Sequence, residues 1–255
     1  MPTKPSTKSL VAVLLTAPCL AAAAESFIVA VASNFVQPAE ALAADFEKRS
    51  GNTVTVSPGS TGKLYAQIRH GAPYAVLLAA DVERPELLEQ SGHGIAGTRF
   101  TYAIGSLVLW SADPRLAGAD CRAQLDDFQA RHLAIANPRT APYGVAAMSF
   151  LQASGLHERV KDNLVYGENI AQALHFVVSG NASLGLVAAP QLSDERLPDT
   201  ACRWPVPGTL HSPIEQQAIL LRHGETVGAA REFLAFIRGN DGRAIIRSFG
   251  YAAPD

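Results

Sequence analysis

Two clusters of small polar residues stand where the chain passes from an apolar stretch into a helical pattern. Ser33 and Asn34 follow the apolar residues 27–32, and Ser60 and Thr61 come after a proline-glycine turn. For either cluster alone the ordinary interpretation is a helix cap, in which a side-chain oxygen accepts a backbone N–H bond. Two clusters together also predict an anion site, because free N–H groups and the positive end of the helix dipole meet at helix amino ends.

The charges near these clusters indicate which kind of anion they would hold. The first cluster contains no arginine or lysine, and only Lys63 flanks the second. Neutral donors favour a small, fully ionised anion that is hydrogen-bonded rather than neutralised by a cation. Asp81 ends an apolar stretch and is interpreted as a cap of the next turn.

The sequence gives little support to a catalytic site. The seven histidines are scattered without a zinc-binding H-E-x-x-H pair, and no G-x-S-x-G nucleophile motif occurs. Residues 59–63 resemble a phosphate-binding loop, but Ser57 stands where its first glycine is needed and Leu64 where Ser or Thr is needed. We therefore expect a binding protein rather than an enzyme. The alternative is an exported enzyme acting on an anionic metabolite, for which Tyr143 and the histidines are the candidate groups.

The two clusters need a sheet that brings them together. Apolar stretches of strand length alternate with helical patterns, and this β-α-β-α-β order predicts an α/β fold with parallel strands. Ligands of open α/β sheets bind at the carboxyl ends of such strands, where both clusters lie. The predicted strands are residues 27–32, 53–56 and 75–80, and the predicted helices are residues 38–49, 64–69 and 85–90.

A long apolar run at residues 100–110 interrupts this alternation. It contains Gly105, and a strand of this length with a glycine inside it can serve two sheets and carry the chain between two domains. The alternation then resumes, and the chain closes on two helices. Strands are predicted at residues 133–136, 164–166, 184–189 and 217–221, and helices at residues 145–153, 170–178, 227–237 and 242–249.

The composition is typical of a globular α/β protein and excludes several other classes. Of the 255 residues, 48% are hydrophobic and 17% are charged, so the chain can bury a core and is neither disordered nor a coiled coil. The net charge is −2 and no basic cluster occurs, which argues against a nucleic-acid partner.

Residues 1–24 have the pattern of a signal peptide. Lys4 and Lys8 form a positive start, an apolar stretch follows, and the alanines at 22–24 satisfy the small-residue cleavage rule. The apolar stretch is shorter than the roughly 20 residues of a membrane span. We expect cleavage after Ala24 and export, and the alternative is a buried N-terminal helix.

Two cysteines, Cys121 and Cys202, remain after this segment. Neither belongs to a C-x-x-C pair or to a metal-ligand spacing. In an oxidising compartment two cysteines most simply form one disulfide, and the alternative is two separately buried thiols.

Seven stretches of the sequence together suggest a family. They are VAVASNF (29–35), GSTGKLYAQIRHGAP (59–73), VLLAAD (76–81), FTYAIGSLVLWS (100–111), ANPRTAPYG (136–144), LGLVAAPQL (184–192) and SFGY (248–251). The chain thereby resembles the periplasmic molybdate-binding proteins of ABC transporters, most specifically between residues 29 and 111. The resemblance implies an α/β, two-lobed periplasmic binding protein fold of type II, with two chain crossings at the hinge.

The resemblance also implies where the lobes divide. The crossings correspond to the run at 100–110 and to a return near residues 210–217. Lobe I is then expected to comprise residues 25–104 and 216–255, and lobe II residues 105–215.

An oxyanion site in the first lobe is implied by matching positions. Asn34, with Ser33 beside it, stands at one family ligand position. Thr61, with Ser60 adjacent, stands at another.

In the second lobe, the P-Y-G stretch places Tyr143 on the anion, and its hydroxyl is the expected donor. A backbone N–H near the start of a later helix corresponds to Ile170. Some members also use a tyrosine hydroxyl that would fall at Ala188, so that ligand is missing here.

The function implied by the resemblance is that of the binding component of an ABC importer for molybdate and tungstate, without catalysis. Molybdenum would be bound only as the oxyanion through the residues named above, with no cofactor. We expect a periplasmic monomer whose partners are the oxyanion and a membrane permease.

The alternatives within this class are sulfate, phosphate and Fe(III). Sulfate differs from molybdate mainly in size. Phosphate is partly protonated near neutral pH and benefits from a carboxylate acceptor, for which Glu168 is the candidate. Fe(III) prefers adjacent tyrosines or carboxylates, and no two tyrosines are adjacent in this sequence.

Overall fold

Two five-stranded sheets divide the protein into two lobes. The computed structural model describes residues 23–127, 132–252 and 254. Most of the expected signal peptide, residues 1–22, lies outside the described residues, so its cleavage after Ala24 stays a prediction.

The first part of lobe I alternates strands and helices as its apolar pattern predicts. Its elements are β1 (Ser26–Ala32), α1 (Val36–Ser50), β2 (Thr53–Gly59), α2 (Thr61–Arg69), β3 (Val76–Leu78), α3 (Glu83–Gln90) and β4 (Phe100–Ile104). The predicted end of α1 is confirmed, because Gly51 follows it in the left-handed conformation (φ 74°) that glycine adopts without strain.

Lobe II repeats the alternation with its own sheet. Its elements are β5 (Leu107–Ser111), α4 (Cys121–Asp126), β6 (Leu133–Ala136), α5 (Pro142–Ala153), α6 (His157–Val160), β7 (Leu164–Gly167), α7 (Ile170–Val178), β8 (Leu184–Ala188) and β9 (Cys202–Pro205). The strand order is β7-β6-β8-β5-β9, in which β6 runs parallel to β7 and β8, and β5 runs antiparallel to β8 and β9.

The chain then returns to lobe I. The returning elements are β10 (Glu215–Leu220), α8 (Gly228–Arg238) and α9 (Asn240–Ser248). The sheet of lobe I has the order β2-β1-β3-β10-β4, and β10 runs antiparallel to both of its neighbours. The two predicted crossings are therefore present, between β4 and β5 and between β9 and β10, whereas the exact lobe boundaries at residues 105 and 216 stay our proposal.

The predicted long strand at 100–110 is two strands in the structure. Gly105 and Ser106 separate β4 from β5, because their backbone groups bond outside both ladders: Gly105 N–H donates to Ile214 O at 2.9 Å, and Ser106 O accepts from Ala189 N–H at 2.9 Å. A Cβ at Gly105 would stand only 2.2 Å from the Tyr143 hydroxyl oxygen, so this position of the hinge requires glycine.

Each lobe has its own apolar core. In lobe I the rings of Phe27, Phe46 and Phe233 lie 5.2–6.4 Å apart between β1, α1 and α8. In lobe II, Trp110 and Phe150 are completely buried among a separate set of aliphatic side chains. The two cores are thus built on different sheets, and Ala32 and Ala80 of lobe I pack with the core of lobe II where the lobes meet.

Sequence periodicity missed several helix starts and short elements. Helices α2 and α5 begin at Thr61 and Pro142, each a turn earlier than the predicted starts at residues 64 and 145. Short elements without a clear period, namely α4, α6 and β9, were not predicted. The two early starts matter most, because they place polar residues within the first turn of a helix.

None of the helices in the described part of the chain is both long and apolar enough to cross a membrane. Within residues 23–127, 132–252 and 254, no group of three or more His, Cys, Asp or Glu side chains could hold a metal ion.

Cys121, at the start of α4, and Cys202, at the start of β9, are joined by a disulfide with Cα atoms 5.3 Å apart. Both elements pack on β5, so the bond lies within lobe II and does not span the hinge.

Reducing this disulfide is expected to destabilise lobe II. The bonded residues are 81 apart in sequence, and a loop of this length is worth at most about 4.5 kcal/mol in the chain-entropy account. Thermal unfolding with and without a thiol reductant measures the effect, and the double variant Cys121→Ser, Cys202→Ser serves as a control that the reductant should not affect. An identical melting temperature for the oxidised and reduced wild type would contradict this expectation.

Candidate oxyanion site

A single small cavity between the lobes brings together all of the residues that the sequence singles out as ligands. Its volume is about 10 Å³, close to the smallest space that holds one water molecule. The lining residues are Ala32, Ser33, Asn34, Gly59, Ser60, Thr61, Ala80, Ala141, Pro142, Tyr143 and Ile170.

The ends of parallel strands explain why these residues meet. In lobe I, Ala32 pairs with Gly59 at the carboxyl ends of β1 and β2; in lobe II, Ala136 pairs with Gly167 at the ends of β6 and β7. The helices that follow β2, β6 and β7 therefore start beside the cavity. Because the first N–H groups of a helix have no partner within it, these starts offer donors and the positive dipole end.

The polar cluster before α2 does not cap that helix. Ser60 stands at the cap position but makes no side-chain capping bond, and its hydroxyl is buried without a partner. Asn169, by contrast, caps α7 in the ordinary way, because its Oδ1 accepts from Gln172 N–H at 3.0 Å. The capping interpretation of the sequence thus fails for Ser60 and leaves its hydroxyl available to a ligand.

The Thr61 hydroxyl has a hydrogen that it can donate in a hydrogen bond. Its Oγ1 accepts the backbone N–H of Ala80 at 3.1 Å. Since a hydroxyl carries one hydrogen of its own, that hydrogen remains for another acceptor. Thr61 is 1% exposed and lines the cavity, so this hydrogen is available to an acceptor placed there.

Tyr143 has two groups that could donate to an anion, its backbone N–H and its hydroxyl, and they lie in different places. Its N–H belongs to the first turn of α5, where helical partners are absent. Its hydroxyl lies beside Gly105 at the hinge. Burial, with smaller contributions from Tyr251 and Tyr102, raises the pKa of the Tyr143 phenol well above its usual range, so this hydroxyl stays protonated at neutral pH. The sequence-based expectation that the phenol meets the anion stays a prediction, and the geometry favours the N–H.

Gly144 and Asp81 both have structural roles. A Cβ on Gly144 would lie 2.3 Å from Ala136 O, so the start of α5 approaches β6 more closely than any side chain allows. Asp81 Oδ1 accepts Arg84 N–H at 3.1 Å and its other oxygen pairs with the Arg84 guanidinium, which confirms it as a cap. Burial raises the pKa of Asp81 despite this cation.

Comparison with known proteins identifies the family. The sequence profile of the bacterial extracellular solute-binding proteins matches residues 27–252. The chain belongs to this family. It is 46% identical to the molybdate-binding protein ModA of Azotobacter vinelandii, over 91% of this chain and 92% of that protein, and 42% identical to ModA of Rhodobacter capsulatus, over 91% and 90%. The periplasmic molybdate-binding protein of A. vinelandii has a similar structure, with a TM-score of 0.83 at 38% identity, covering 90% of this chain and 100% of that chain.

As in a solute-binding protein with its lobes closed, several bonds join the lobes around the cavity. Gly62 N–H donates to Thr140 O at 2.8 Å, and a Cβ on Gly62 would lie 2.9 Å from the same oxygen. Lys63 pairs with Glu168 at 2.7 Å, where both side chains are more than half exposed. Glu168 therefore lies at the mouth rather than in the cavity.

A further contact between the lobes lies outside the cavity. Gln37 Nε2 donates to Asp194 Oδ2 at 2.6 Å, and Arg196 pairs with the same carboxylate. The Arg196 guanidinium, helped by Gln37 against the opposing effect of burial, lowers the pKa of Asp194 to about 2. This side chain therefore stays charged in any compartment near neutral pH.

The lining of this solute-binding protein is electrically neutral. Among the lining residues that the structure describes there is no acid, no base and no histidine. Ala188 is buried at the end of β8 and does not line the cavity, so no side chain from β8 stands in for the absent tyrosine.

A polar group behind the cavity was missed by the sequence reading. Gln216 on β10 and Tyr251 near the end of the chain both bond to the Asn34 side chain, at 2.8 and 3.0 Å. Gln216 lies just before the predicted strand at 217–221 and gave no signal of its own, and Tyr251 appeared only as part of the resembling stretch at 248–251.

Removal of either hydroxyl in the second cluster should weaken the binding of molybdate, the anion that the resemblance implies. Ser60→Ala and Thr61→Val should each cost about tenfold to a hundredfold in affinity, because a hydrogen bond to a charged group is worth about 1.5–3 kcal/mol. Titration calorimetry measures this loss.

The stability of the unliganded variants distinguishes the two hydroxyls. Ser60→Ala should leave the melting temperature unchanged, since Ser60 Oγ has no partner, whereas Thr61→Val should lower it by leaving Ala80 N–H without its acceptor. Ser154→Ala is a matched control, because that hydroxyl bonds to Phe150 O at the other end of α5. Wild-type affinity in both cavity variants would contradict the assignment.

Proposed function

We propose that the protein binds molybdate and tungstate outside the cytoplasm and delivers them to the membrane permease of an ABC importer. The observation that carries this proposal is the neutral cavity, in which helix starts from both lobes and hydroxyls from lobe I converge. Relatives at 46% and 42% identity that are named molybdate-binding proteins support it.

The binding mechanism follows from the kinds of donor. A doubly charged oxyanion in the cavity meets the Ser60 and Thr61 hydroxyls from lobe I and the first N–H groups of α5 and α7, at Tyr143 and Ile170, from lobe II. Each bond to an ionised acceptor is stronger than a neutral one. The anion is therefore held without a counter-charge, and lobe closure completes its shell of donors.

Phosphate differs from molybdate in protonation and sulfate differs in size, and both differences affect binding in this cavity. Phosphate near neutral pH carries a proton that needs an acceptor, and the described lining contains no carboxylate. Glu168, which kept this option open, is paired with Lys63 at the mouth. Sulfate has the same charge as molybdate, so discrimination against it rests on size: donors at fixed positions fit one oxygen tetrahedron best.

An enzymatic function receives no support from the cavity. A hydroxyl nucleophile needs a neighbouring base to activate it. Among the lining residues of known placement, the hydroxyls of Ser33, Ser60, Thr61 and Tyr143 have neither a histidine nor a carboxylate beside them. We therefore propose a transport protein without catalysis.

Titration calorimetry with four anions tests the proposed function. Molybdate and tungstate should each bind at one site, and sulfate and phosphate should give no measurable heat under the same conditions. The Ser60→Ala variant is titrated in parallel, and weaker binding by this variant would show that the anion binds in this cavity. Comparable heats for sulfate and molybdate would refute the specificity, and absence of heat with molybdate would refute the function.

Export can be tested separately. The proposal requires removal of residues 1–24, so the mass and first residue of the protein recovered from the periplasm should correspond to a chain that starts at Glu25. Recovery of the uncleaved chain from the cytoplasm alone would contradict this prediction.

A further inference from the structure

Gln216 lies at the hinge, immediately behind the cavity. It belongs to β10, the strand that returns from lobe II, and is completely buried. Its Oε1 accepts from Asn34 Nδ2 at 2.8 Å and from the Tyr102 hydroxyl at 3.2 Å. Asn34, which lines the cavity, is thus held from behind by a residue of the hinge.

The hydrogen bonds of this group are incomplete. Asn34 Nδ2 uses its two hydrogens on Gln216 and Tyr251, which leaves Asn34 Oδ1 without a partner. Gln216 Nε2 and the Tyr143 hydroxyl are also buried and make no hydrogen bond of good geometry, although the hydroxyl interacts with Tyr251 and Gln216. Gln216 Nε2 and this hydroxyl crowd the same point, since a Cβ at Gly105 would lie 3.0 Å from Gln216 Nε2 and 2.2 Å from the Tyr143 oxygen. Buried polar atoms without partners are uncommon in folded proteins, and three in one group require an explanation.

A half-turn of both side-chain amides gives these atoms partners, provided that the Tyr251 hydroxyl, which now donates to Asn34 O at 2.7 Å, shares its hydrogen with Asn34 Oδ1. Turning an amide exchanges its oxygen and nitrogen while the positions of the atoms stay nearly the same. Gln216 Nε2 would then donate to Asn34 Oδ1 across the same 2.8 Å separation. Gln216 Oε1 would stand beside the Tyr143 hydroxyl as its acceptor. Asn34 Nδ2 would take the place of the unpartnered Oδ1 and offer an N–H to an anion in the cavity.

Neither amide can turn alone. A half-turn of Asn34 without Gln216 would bring two oxygens face to face, and a half-turn of Gln216 without Asn34 would bring two nitrogens face to face. The orientation of Asn34 toward the cavity is therefore determined by the orientation of Gln216. In the present orientation Asn34 leaves only an oxygen unpartnered, which would repel an anion.

We propose that Gln216 is a positioning residue for anion binding: in the anion-bound protein both amides are turned, so that Gln216 donates to Asn34 Oδ1 and Asn34 donates to the oxyanion. This inference rests on the proposed function, and it goes further by assigning a role to a residue that does not line the cavity.

The substitutions Gln216→Glu and Gln216→Met test this proposal. Titration calorimetry with molybdate should be run on both variants and on the wild type at several values between about pH 6 and pH 9. An ionised carboxylate can only accept, so it would hold Asn34 in the repelling orientation. A protonated carboxyl can donate to Asn34 Oδ1, and burial should raise its pKa into this range. Methionine has a similar shape and donates at no pH.

The expected result is a specific pattern of affinities. Gln216→Glu should bind at least tenfold more weakly than wild type at the alkaline end and recover to within about threefold of it at the acidic end. Gln216→Met should stay at least tenfold weaker throughout. If the charge of the carboxylate alone were responsible, the uncharged methionine variant would bind like the wild type.

The surroundings of Gln216 do not add a competing titration. The titratable side chains next to it are Tyr102, Tyr143 and Tyr251, and burial raises the pKa of all three above the usual range. Asp81 acts on Tyr102 and is common to every variant, so ratios to the wild type at each pH remove its effect.

Gln217 provides a matched control on the next position of the same strand. Its side chain bonds to Thr101 and Arg99 rather than to Asn34. Gln217→Glu and Gln217→Met should therefore bind molybdate as the wild type does. Melting temperatures identify any variant that fails to fold, and the acid recovery of Gln216→Glu is an internal comparison within a single protein.

The outcomes separate the two proposals. A wild type that does not bind molybdate overturns the proposed function and, with it, this role of Gln216. A wild type that binds, together with a Gln216→Met variant of equal affinity or a Gln216→Glu variant without acid recovery, overturns the role of Gln216 alone.

Discussion

A small dianion can be buried without a cation only if hydrogen-bond donors surround it at fixed positions. Under the proposed function, that constraint accounts for the donors that line the cavity near the hinge. Donors with no other partner are supplied by the first turns of helices, and several helices can start at one point only if parallel strands end there side by side. Two α/β lobes facing each other provide four such strand ends around one cavity.

The cavity and the hinge also share side chains. Asn34 and Tyr143 belong both to the lining and to a buried polar group that includes Gln216 and Tyr251, beside the crossing at Gly105. Side chains of the lining and side chains beside the crossing therefore adjoin each other, and hydrogen bonds join Asn34 to Gln216 and Tyr251. In such an arrangement, a change in the hydrogen bonds of the cavity lining can directly alter those beside the crossing.

Local sequence patterns were sufficient for most strands, for most helices and for both polar clusters of lobe I, since each depends on residues close together in the chain. They did not predict β9 or the break between β4 and β5. The starts of α2 and α5 were misjudged because periodicity follows apolar residues, whereas Thr61 and Pro142 begin their helices with residues that serve the cavity. Gln216 and Tyr251 could not be recognised from the chain alone. They lie 182 and 217 residues from Asn34, and no local pattern reports a contact over such a separation.

The contact between Gly62 and Thr140 affects the size of ion that the closed cleft would accept. There the two lobes touch through main-chain atoms, with an N–H bonded to a carbonyl at 2.8 Å and no side chain between them. Main-chain atoms have no rotamers, so this contact cannot yield to a larger ion as a flexible side chain would. The width of the closed cleft is thereby a property of the backbone, and it persists when individual ligand side chains are replaced.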